Sequence, residues 1–457
     1  MSMIPTPAPK RFLFLQGPVS PLFQEVGAAL RALGHKAHRI NLHWGDRLFW
    51  RGPGATDYRG TLEAWPAFIA SFLDRHRITH IVLLGEQRAY HKIAIAAAAE
   101  RQIEVVATDM GYIRPDWIVL ERDGLNAASQ FVRDPETIIR IGAALPPPDL
   151  VVRYRDSFPL MAAWDVAYNI AALARWPRFR HYRHHQIYHP LPFYAGMVWR
   201  LIRRSSENLR ADAVLQRVAG TGPLFLMAMQ MENDFSIRAY SRYTDMDTPL
   251  REITQSFARH APAGTHLLIK AHPLDPGLKN WGRRVKKLAK EFGLEDRLHY
   301  LGGGNLGQIV EQVQGVVTVN STVGLRAIMG QTPTFCLGEA LYRLPGLVFS
   351  GTLDEFWTQG APPDEALREG FLRSVAHSLH IRGVYHAKEG RAVAMHGMVQ
   401  RLHEEILNRP VPEALDPETE GATAGFWPPR PKGSFASSAA AVPVTPQGAP
   451  PPAPPLG

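Results

Sequence analysis

The sequence predicts an α/β protein made of two doubly wound, Rossmann-like domains that face a central cleft. The chain has 457 residues, more than one hydrophobic core usually supports. Short apolar runs alternate with helical patterns in both halves, the pattern of parallel sheets covered by helices. The pattern divides the chain into four predicted regions. They are an α/β domain over 1–148, a helical bridge over 149–212, a second α/β domain over 213–409 and a tail over 410–457.

The first half alternates strand and helix from residue 11. Strands are predicted at 11–16, 36–41, 80–84 and 103–108, with helices up to Leu33 and between 88 and 101. Ligands of such sheets bind at the carboxyl ends of the strands. The polar residues that fall at or just after these ends are Gln16, Asp46, Glu86, Arg88 and Asp109.

The bridge is broken by prolines and mixes arginines with aromatic residues, mainly at 175–183 and 199–204. Such a surface suits anionic lipid headgroups, and we expect peripheral membrane contact. A solvated helical bridge or a nucleic-acid-binding surface are the alternatives. Four histidines between 181 and 189 lack acidic or cysteine partners and lie among arginines, so no metal is expected there.

The second half repeats the alternation. Strands are predicted at 224–229, 266–270, 298–301, 315–319 and 334–337, and helices at 248–260, 281–292, 306–313 and 323–329. From Pro410 onward the chain holds 13 of its 38 prolines, interleaved with small residues. That composition buries too little apolar surface to offset its ordering entropy, and it predicts a disordered tail.

Composition and missing motifs narrow the class of protein. The net charge of +9 implies an anionic partner, and the single cysteine, Cys336, excludes an internal disulfide. No apolar stretch approaches the roughly 20 residues of a membrane span, and residues 1–10 do not resemble a signal peptide, so a cytoplasmic location is expected. The glycine-rich nucleotide motifs and the serine elbow of hydrolases are absent.

The strongest local pattern is the segment from Leu267 to Pro273. An apolar strand ends on Lys270, and His272-Pro273 follows at its carboxyl end. Donor and cationic groups at this position can stabilise the phosphate of a nucleotide leaving group. A histidine that only caps a strand turn is the alternative.

Two further strand ends in the same half could bind phosphate. Asn320, Ser321 and Thr322 open a helix, whose hydroxyls and amides form an anion-binding terminus, although an ordinary N-cap explains the pattern almost as well. Gly302 and Gly303 permit close backbone approach to a nucleotide or form a simple turn.

A polar segment follows the first strand of the second half. Gln230, Glu232 and Asp234 could hold the acceptor, a sugar or the nucleotide. The alternative is a solvated loop in which Asp234 caps the next helix.

Several motifs, in order, resemble the bacterial capsule polysaccharide biosynthesis family of KpsS-type retaining β-Kdo glycosyltransferases. They are Gln16-Gly-Pro, Asn41-Leu-His-Trp-Gly-Asp46, Gly111-Tyr-Ile-Arg-Pro-Asp-Trp117 with Leu120-Glu121, Gln230-Met-Glu-Asn-Asp234 and Lys270-Ala-His-Pro273. The resemblance implies a GT-B-like enzyme that transfers Kdo (3-deoxy-D-manno-oct-2-ulosonic acid) from CMP-Kdo to a lyso-phosphatidylglycerol-type lipid. It also implies a place at the inner membrane, in a capsule biosynthesis and export complex, with no metal, no other cofactor and no nucleic acid.

The family's His-Pro pair is similar to that of bacterial sialyltransferases, which bind CMP, and here it falls on His272 and Pro273, so the resemblance implies a CMP site there. Retention requires a carboxylate on the sugar face opposite the leaving nucleotide. In related transferases an acidic pair precedes the glycine that here is Gly111, but this chain has Asp109-Met110. Asp109 is therefore the first candidate nucleophile.

Glu86 and Glu121 are the alternative nucleophiles, and Arg114 is expected on the acceptor side. Two other functional hypotheses stay open. The first is a GT-B enzyme that uses another donor, or an epimerase-like relative. The second is a catalytically inactive capsule assembly protein.

Overall fold

The first sheet has seven strands. The computed structural model describes residues 9–174, 177–184, 188–232 and 234–410. The first six strands in chain order are β1 (Arg11–Phe14), β2 (Lys36–Asn41), β3 (Ala55–Asp57), β4 (His80–Leu84), β5 (Glu104–Met110) and β6 (Trp117–Arg122). The helices among them are α1 (Leu22–Ala32), α2 (Trp44–Phe49), α3 (Trp65–His76) and α4 (Ala89–Ala99), and α5 (Pro135–Ala143) follows the last strand. The predicted tail lies, except for Pro410, outside the described residues.

Two helices lead to the second half, α6 (Phe158–Leu173) and α7 (Pro190–Val218). The second sheet consists of β7 (Leu224–Ala228), β8 (His266–Lys270), β9 (Leu298–Leu301), β10 (Gly315–Thr318) and β11 (Thr334–Cys336). Its helices are α8 (Phe235–Tyr240), α9 (Asp247–His260), α10 (Trp281–Phe292), α11 (Leu306–Gln312), α12 (Thr322–Met329) and α13 (Leu353–Gln359). The chain closes with α14 (Glu365–Leu379), β12 (His380–Arg382) and α15 (Lys388–His403).

The two sheets confirm the predicted fold class. The strand orders are β12-β6-β5-β4-β1-β2-β3 and β11-β10-β7-β8-β9, and the second sheet is parallel throughout. Strands such as β7 are buried at every position, as expected where helices cover both faces of a sheet. The chain thus has two doubly wound domains with a cleft between them, the GT-B-like arrangement.

The first sheet differs from the expected parallel pattern at one edge. β6 pairs antiparallel with β5, and β12 pairs antiparallel with β6. β6 was not predicted, because its residues were interpreted as part of a motif. It follows β5 after the short turn that begins at Gly111, where a Cβ would lie 2.6 Å from the Trp117 carbonyl oxygen.

Capping residues determine where many of the helices begin and end. Asp134 accepts a hydrogen bond from Thr137 N at 2.8 Å, and Pro135 occupies the first turn of α5. Helix α10 ends at Gly293, whose φ of 64° suits glycine.

The end of the chain returns to the first domain, which corrects the boundary 213–409. β12 joins the first sheet, α14 packs on α5, and α15 packs on α1. The α5–α14 contact is backbone-close, since a Cβ on Gly142 would lie 2.2 Å from Gly370 Cα. No helix or strand was predicted after residue 337, so α14, β12 and α15 and their return to the first sheet were missed.

The domains also share apolar packing. Leu325 and Ile328 of α12 belong to one buried cluster with Leu367 and Phe371 of α14. This apolar contact lies between the two domains that form the walls of the cleft.

The bridge helices link the domains. α6 packs on α2 and α7 on β9. Tyr194 of α7 donates a hydrogen bond to Asp165 Oδ2 of α6 at 2.7 Å. Within the described part of the chain, no helix is both long and apolar enough to cross a bilayer.

Candidate functional site

The cleft contains a cavity of about 610 Å³ between the domains, which we call the wide compartment. The first domain contributes Tyr112 and Arg114 to its wall. The second domain contributes the end of β8, including Lys270 and His272, and the start of α12. This is the edge at which the carboxyl ends of parallel strands meet.

A second cavity of about 370 Å³, the carboxylate compartment, adjoins the first. The two share Tyr112, Arg114, His272, Ser321 and Thr322 in their walls. The remaining predicted residues that line the carboxylate compartment are Glu86, Arg88, Asp109, Gln230, Asp234 and Asn320. The structure therefore brings together predicted residues from both halves of the sequence.

His272 is held as a neutral hydrogen-bond donor. The backbone N–H of Leu274 donates to Nδ1 of His272 at 3.1 Å, so the ring proton of the neutral imidazole lies on Nε2. Burial lowers the pKa of His272 to about 4, and Arg114 adds to the effect, although Asp234 opposes it. Nε2–H can therefore donate to a phosphate oxygen without carrying charge.

Lys270, the last residue of β8, supplies a cation two residues before His272. Its side chain is buried and Nζ donates to the carbonyl oxygen of Ala271 at 3.0 Å. Burial lowers the pKa of Lys270 to about 8, and the charge of Arg200 lowers it further. A bound anion would favour the charged form of this lysine. Pro273, exposed beside it, lines the wide compartment.

The helix start at 320–322 is built by side-chain pairing. Gln230 and Asn320 exchange two hydrogen bonds: Gln230 Nε2 donates to Asn320 Oδ1 at 2.9 Å, and Asn320 N donates to Gln230 Oε1 at 3.1 Å. Ser321 caps α12 by accepting from Val323 N at 3.2 Å. Ser321 is therefore an N-cap, as the alternative interpretation expected, and both Ser321 and Thr322 line the two compartments.

Two carboxylates of the first domain share the carboxylate compartment. Asp109 faces the cavity, and the loss of bulk water between the domains raises its pKa, with a further contribution from Asp234. Burial likewise raises the pKa of Glu86, and the nearby charge of Asp109 adds to the rise. Tyr240 of the second domain donates a hydrogen bond to Glu86 Oε1.

Asp234 lies opposite these carboxylates on the second-domain wall. It accepts from Ser236 N at 2.9 Å and from the Ser236 hydroxyl at 2.8 Å, so it also caps α8, as the alternative interpretation expected.

Gln16 and Asp46 do not reach the cleft, contrary to the position expected from their strand ends. Both are buried, with exposures of 1% and 2%. Gln16 Nε2 lies 3.0 Å from His43 Nε2, and Asp46 pairs with Arg39 at 3.2 Å. Tyr168 of α6 donates to Asp46 Oδ1 at 3.0 Å. This network holds α2 and α6 against the sheet and leaves neither side chain open to an acceptor.

Glu121 is also closed off from the cavity. It is fully buried and accepts hydrogen bonds from Tyr112 at 2.6 Å and from Ser129. Burial raises the pKa of Glu121 to about 8. Its position supports Tyr112 rather than contact with a sugar.

Glu232 lies outside both compartments. It accepts a hydrogen bond from Tyr188 at 2.8 Å and pairs with Lys279. The predicted acidic segment is therefore split, with Asp234 in the cleft and Glu232 beside α10.

Gly302 and Gly303 line a third cavity of about 470 Å³, the side compartment, and not the wide one. A Cβ on Gly303 would lie 2.4 Å from Asn208 Oδ1 of α7, and Gly304 N donates to that oxygen at 2.9 Å. Glycine is needed here for the close approach of α7.

Sequence reasoning missed several lining residues, among them two tyrosines and an arginine. Tyr112 and Tyr240 lie at the carboxylate compartment, and Arg326 lines the wide compartment. Arg326 follows Thr322 by four residues, so helical spacing alone could have placed both on one face of α12. Within the described residues, no group of three or more His, Cys, Asp or Glu side chains could hold a metal ion.

Comparison with known proteins identifies the family. Residues 79–386 match the family model described as capsule polysaccharide biosynthesis protein. The capsule polysaccharide export protein KpsS of Escherichia coli is 30% identical over 82% of this chain and 97% of its own length. The capsule polysaccharide modification protein LipB of Neisseria meningitidis serogroup A is 30% identical over 83% of this chain and 92% of its own length.

A solved structure, the β-Kdo 2,7 transferase KpsC of Thermosulfurimonas dismutans, aligns with 86% of this chain and 99% of its own at 13% identity. Its TM-score of 0.38 is too low to inform the chemistry. The family model and the two sequence relatives establish the assignment, and the chain belongs to the capsule polysaccharide biosynthesis family.

Proposed function

We propose that this protein is a glycosyltransferase of capsular or surface polysaccharide biosynthesis that transfers Kdo from CMP-Kdo, with retention, to a lyso-phosphatidylglycerol-type lipid. The observation that carries the proposal is the cleft, in which phosphate-binding groups of the second domain face carboxylates of the first. Membership of the family and the family resemblance of Lys270-Ala-His-Pro273 support it.

The donor phosphate would bind at the end of β8. His272 Nε2–H and Lys270 lie at this wall, beside the amino end of α12, whose dipole favours an anion. Arg114 and Arg326 add positive charge from the two sides of the wide compartment. Together these groups would stabilise the charge that develops on CMP as it leaves.

Asp109 is the proposed nucleophile. Its carboxylate would attack the anomeric carbon as the bond to the CMP oxygen breaks, and CMP would leave with the bonding electrons. The acceptor hydroxyl would then displace Asp109, which restores the original configuration. Glu86, which lies beside Asp109 and also has a raised pKa, would accept the proton of that hydroxyl.

The lipid acceptor places the proposed reaction at the cytoplasmic face of the inner membrane. The net charge of +9 fits an anionic donor, an anionic lipid and peripheral contact with anionic headgroups. The names of the relatives connect them with capsule export and modification, which supports work within a capsule assembly system.

A donor screen tests the proposal. CMP-, UDP- and GDP-sugars would be incubated with the purified protein, and nucleotide release measured. We expect CMP release from CMP-Kdo, lost in His272→Ala and retained in His396→Ala, an exposed histidine on α15. Release from a UDP- or GDP-sugar would favour another donor, and full activity of His272→Ala would remove its proposed role.

A catalytically inactive assembly protein is the second candidate, and Met110 favours it. Met110 is 43% exposed and lines the carboxylate compartment where related enzymes carry the second acidic residue. Tight CMP binding without turnover of any donor would support this candidate.

A further inference from the structure

Helix α7 exposes an apolar stripe on its outward side. Leu191, Val198, Ile202 and Leu209 follow one another at intervals of seven, four and seven residues, which places them along one face of a helix. They are between 57% and 71% exposed. Among the described residues, eleven of the sixteen exposed large apolar side chains lie between 150 and 209. Such concentration is unusual for a surface that faces only water.

Helix α6 also exposes uncharged side chains. The hydrogen bond from Tyr194 to Asp165 holds α6 beside α7. Its exposed side chains include a second uncharged row, Pro159, Ala163, Ala167 and Ile170.

Positive charge flanks the stripe. Arg203 lies 5.8 Å from the ring of Trp199, which is 59% exposed. Arg204 and Arg210 are exposed, and neither has an ion-pair partner in the described part of the chain. The only carboxylate of α7 before Arg210 is Glu207, which packs inward against Gly302. Apolar side chains at the centre with arginine and tryptophan around them match the surface of an anionic bilayer.

The side compartment lies behind this helix and shares Lys270, Pro273 and Gly304 with the lining of the wide compartment. Phe158, Leu201 and Leu274, each 39% to 48% exposed, line it together with Arg204. Lys270 lines both this compartment and the wide one.

The inner wall of the side compartment is held in place by α7. Arg200 donates to the carbonyl oxygens of Asp275 and Gly302, both at 3.0 Å. The side compartment is therefore lined by exposed apolar side chains, by the cations Arg200, Arg204 and Lys270, and by one carboxylate, Glu207.

We propose that the outward face of α7 docks on an anionic phospholipid bilayer, and that the side compartment receives the phosphate and glycerol of a single-chain phospholipid from it. This inference rests on the proposed function for the use of that lipid as acceptor. The acyl chain stays along Phe158, Leu201 and Leu274, the phosphate pairs with Arg204, and the free hydroxyl points toward Lys270, which lines both the side and the wide compartment.

Vesicle flotation tests the docking surface. The full-length protein would be mixed with phosphatidylcholine vesicles with or without phosphatidylglycerol. We expect binding only with phosphatidylglycerol, weakened roughly tenfold or more in the double variant Ile202→Glu/Leu209→Glu. Leu33→Glu, at a leucine that is 46% exposed on the first domain, should bind as the wild type does. The milder pair Ile202→Ser/Leu209→Ser keeps the test valid if the glutamates disturb folding.

Two outcomes would overturn the docking proposal. One is unchanged flotation of both double variants. The other is a wild-type dimer in size-exclusion chromatography that the same substitutions convert to a monomer, because the stripe would then cover a second copy of the chain.

Calorimetry with lyso-phosphatidylglycerol below its micelle concentration tests the side compartment. We expect Arg204→Glu to weaken lipid binding about tenfold and to leave CMP binding unchanged. Equal lipid affinity in the variant would refute the assigned site. No sugar donor and no turnover are involved, so this result is separate from failure of the proposed transferase activity.

Discussion

At the scale of single residues, the surroundings of each titratable side chain in the cleft determine its protonation. His272 stays neutral and donates through Nε2, because Leu274 N occupies its other nitrogen. Lys270 is the titrating cation behind it. Asp109 lines the carboxylate compartment together with His272, and desolvation raises its pKa.

Replacing Asp109 by Asn tests the nucleophile. We expect a loss of CMP-Kdo turnover of roughly a thousandfold or more, because the amide cannot form the glycosyl intermediate. CMP affinity should be retained, as measured by calorimetry. Asp74→Asn, at a carboxylate paired with Arg101 on the surface, is the control. If Asp109→Asn turns over CMP-Kdo as fast as the wild type, Asp109 is not the nucleophile, and Glu86 becomes the candidate.

The pH dependence of donor affinity tests Lys270. Its pKa of about 8 means that the cation is lost as pH rises through about 8, so the KM for CMP-Kdo should rise there. Lys270→Arg keeps the charge and should move this limb to higher pH. His272, with a pKa near 4, should add no limb at pH 6 to 7. If the KM for CMP-Kdo rises at the same pH in Lys270→Arg as in the wild type, a group other than Lys270 causes the rise.

At the scale of elements, sequence patterns predicted nine of the twelve strands of the described residues but not their partners, and they missed several helices, including α14 and α15. The strand β8 and the helix α10 follow the predicted ranges, since apolar runs and caps are local signals. β6 and β12 were missed because short edge strands depend on pairing with distant segments. The position of Glu121, buried under Tyr112 instead of open to the cleft, has the same origin.

Glu121 makes the stability of this edge depend on pH. Its folded-state pKa is about 8, above the ordinary value of about 4.3 for the unfolded chain. The folded state therefore holds a proton that the unfolded state releases, and stability falls as pH rises from about 4.5 to 8. Glu121→Gln should flatten the fall of Tm over this range in thermal unfolding. A slope that is identical in the variant would contradict this assignment.

The α5–α14 contact should not tolerate a side chain. A Cβ on Gly142 would lie 2.2 Å from Gly370 Cα, so Gly142→Ala should lower the free energy of unfolding by about 1–3 kcal/mol through forced separation of the helices. Gly52→Ala, where a Cβ meets nothing within 4 Å, should change it little. Denaturant unfolding of both variants measures the difference, and equal stability would mean that the helices separate without cost.

At the scale of the whole molecule, the cleft depends on both ends of the chain. The motif at 270–273 was recognisable because one strand carries it, and the cluster at 320–322 because it begins a helix. Four first-domain residues expected at the site, Glu86, Arg88, Asp109 and Arg114, do line the cleft. The sequence could not separate them from Gln16 and Asp46, which lie in a buried network, because that depends on how the domains and α6 pack. The return of α14 and α15 to the first domain supports that arrangement.

Mass spectrometry of the lipid tests the central claim most directly. The protein would be incubated with CMP-Kdo and lyso-phosphatidylglycerol. The proposed function predicts that the lipid gains one Kdo residue with wild-type protein and His396→Ala, and that it gains none with His272→Ala. Recovery of unmodified lipid alongside transfer of Kdo to a different acceptor, or transfer from a UDP- or GDP-sugar only, would contradict the proposal.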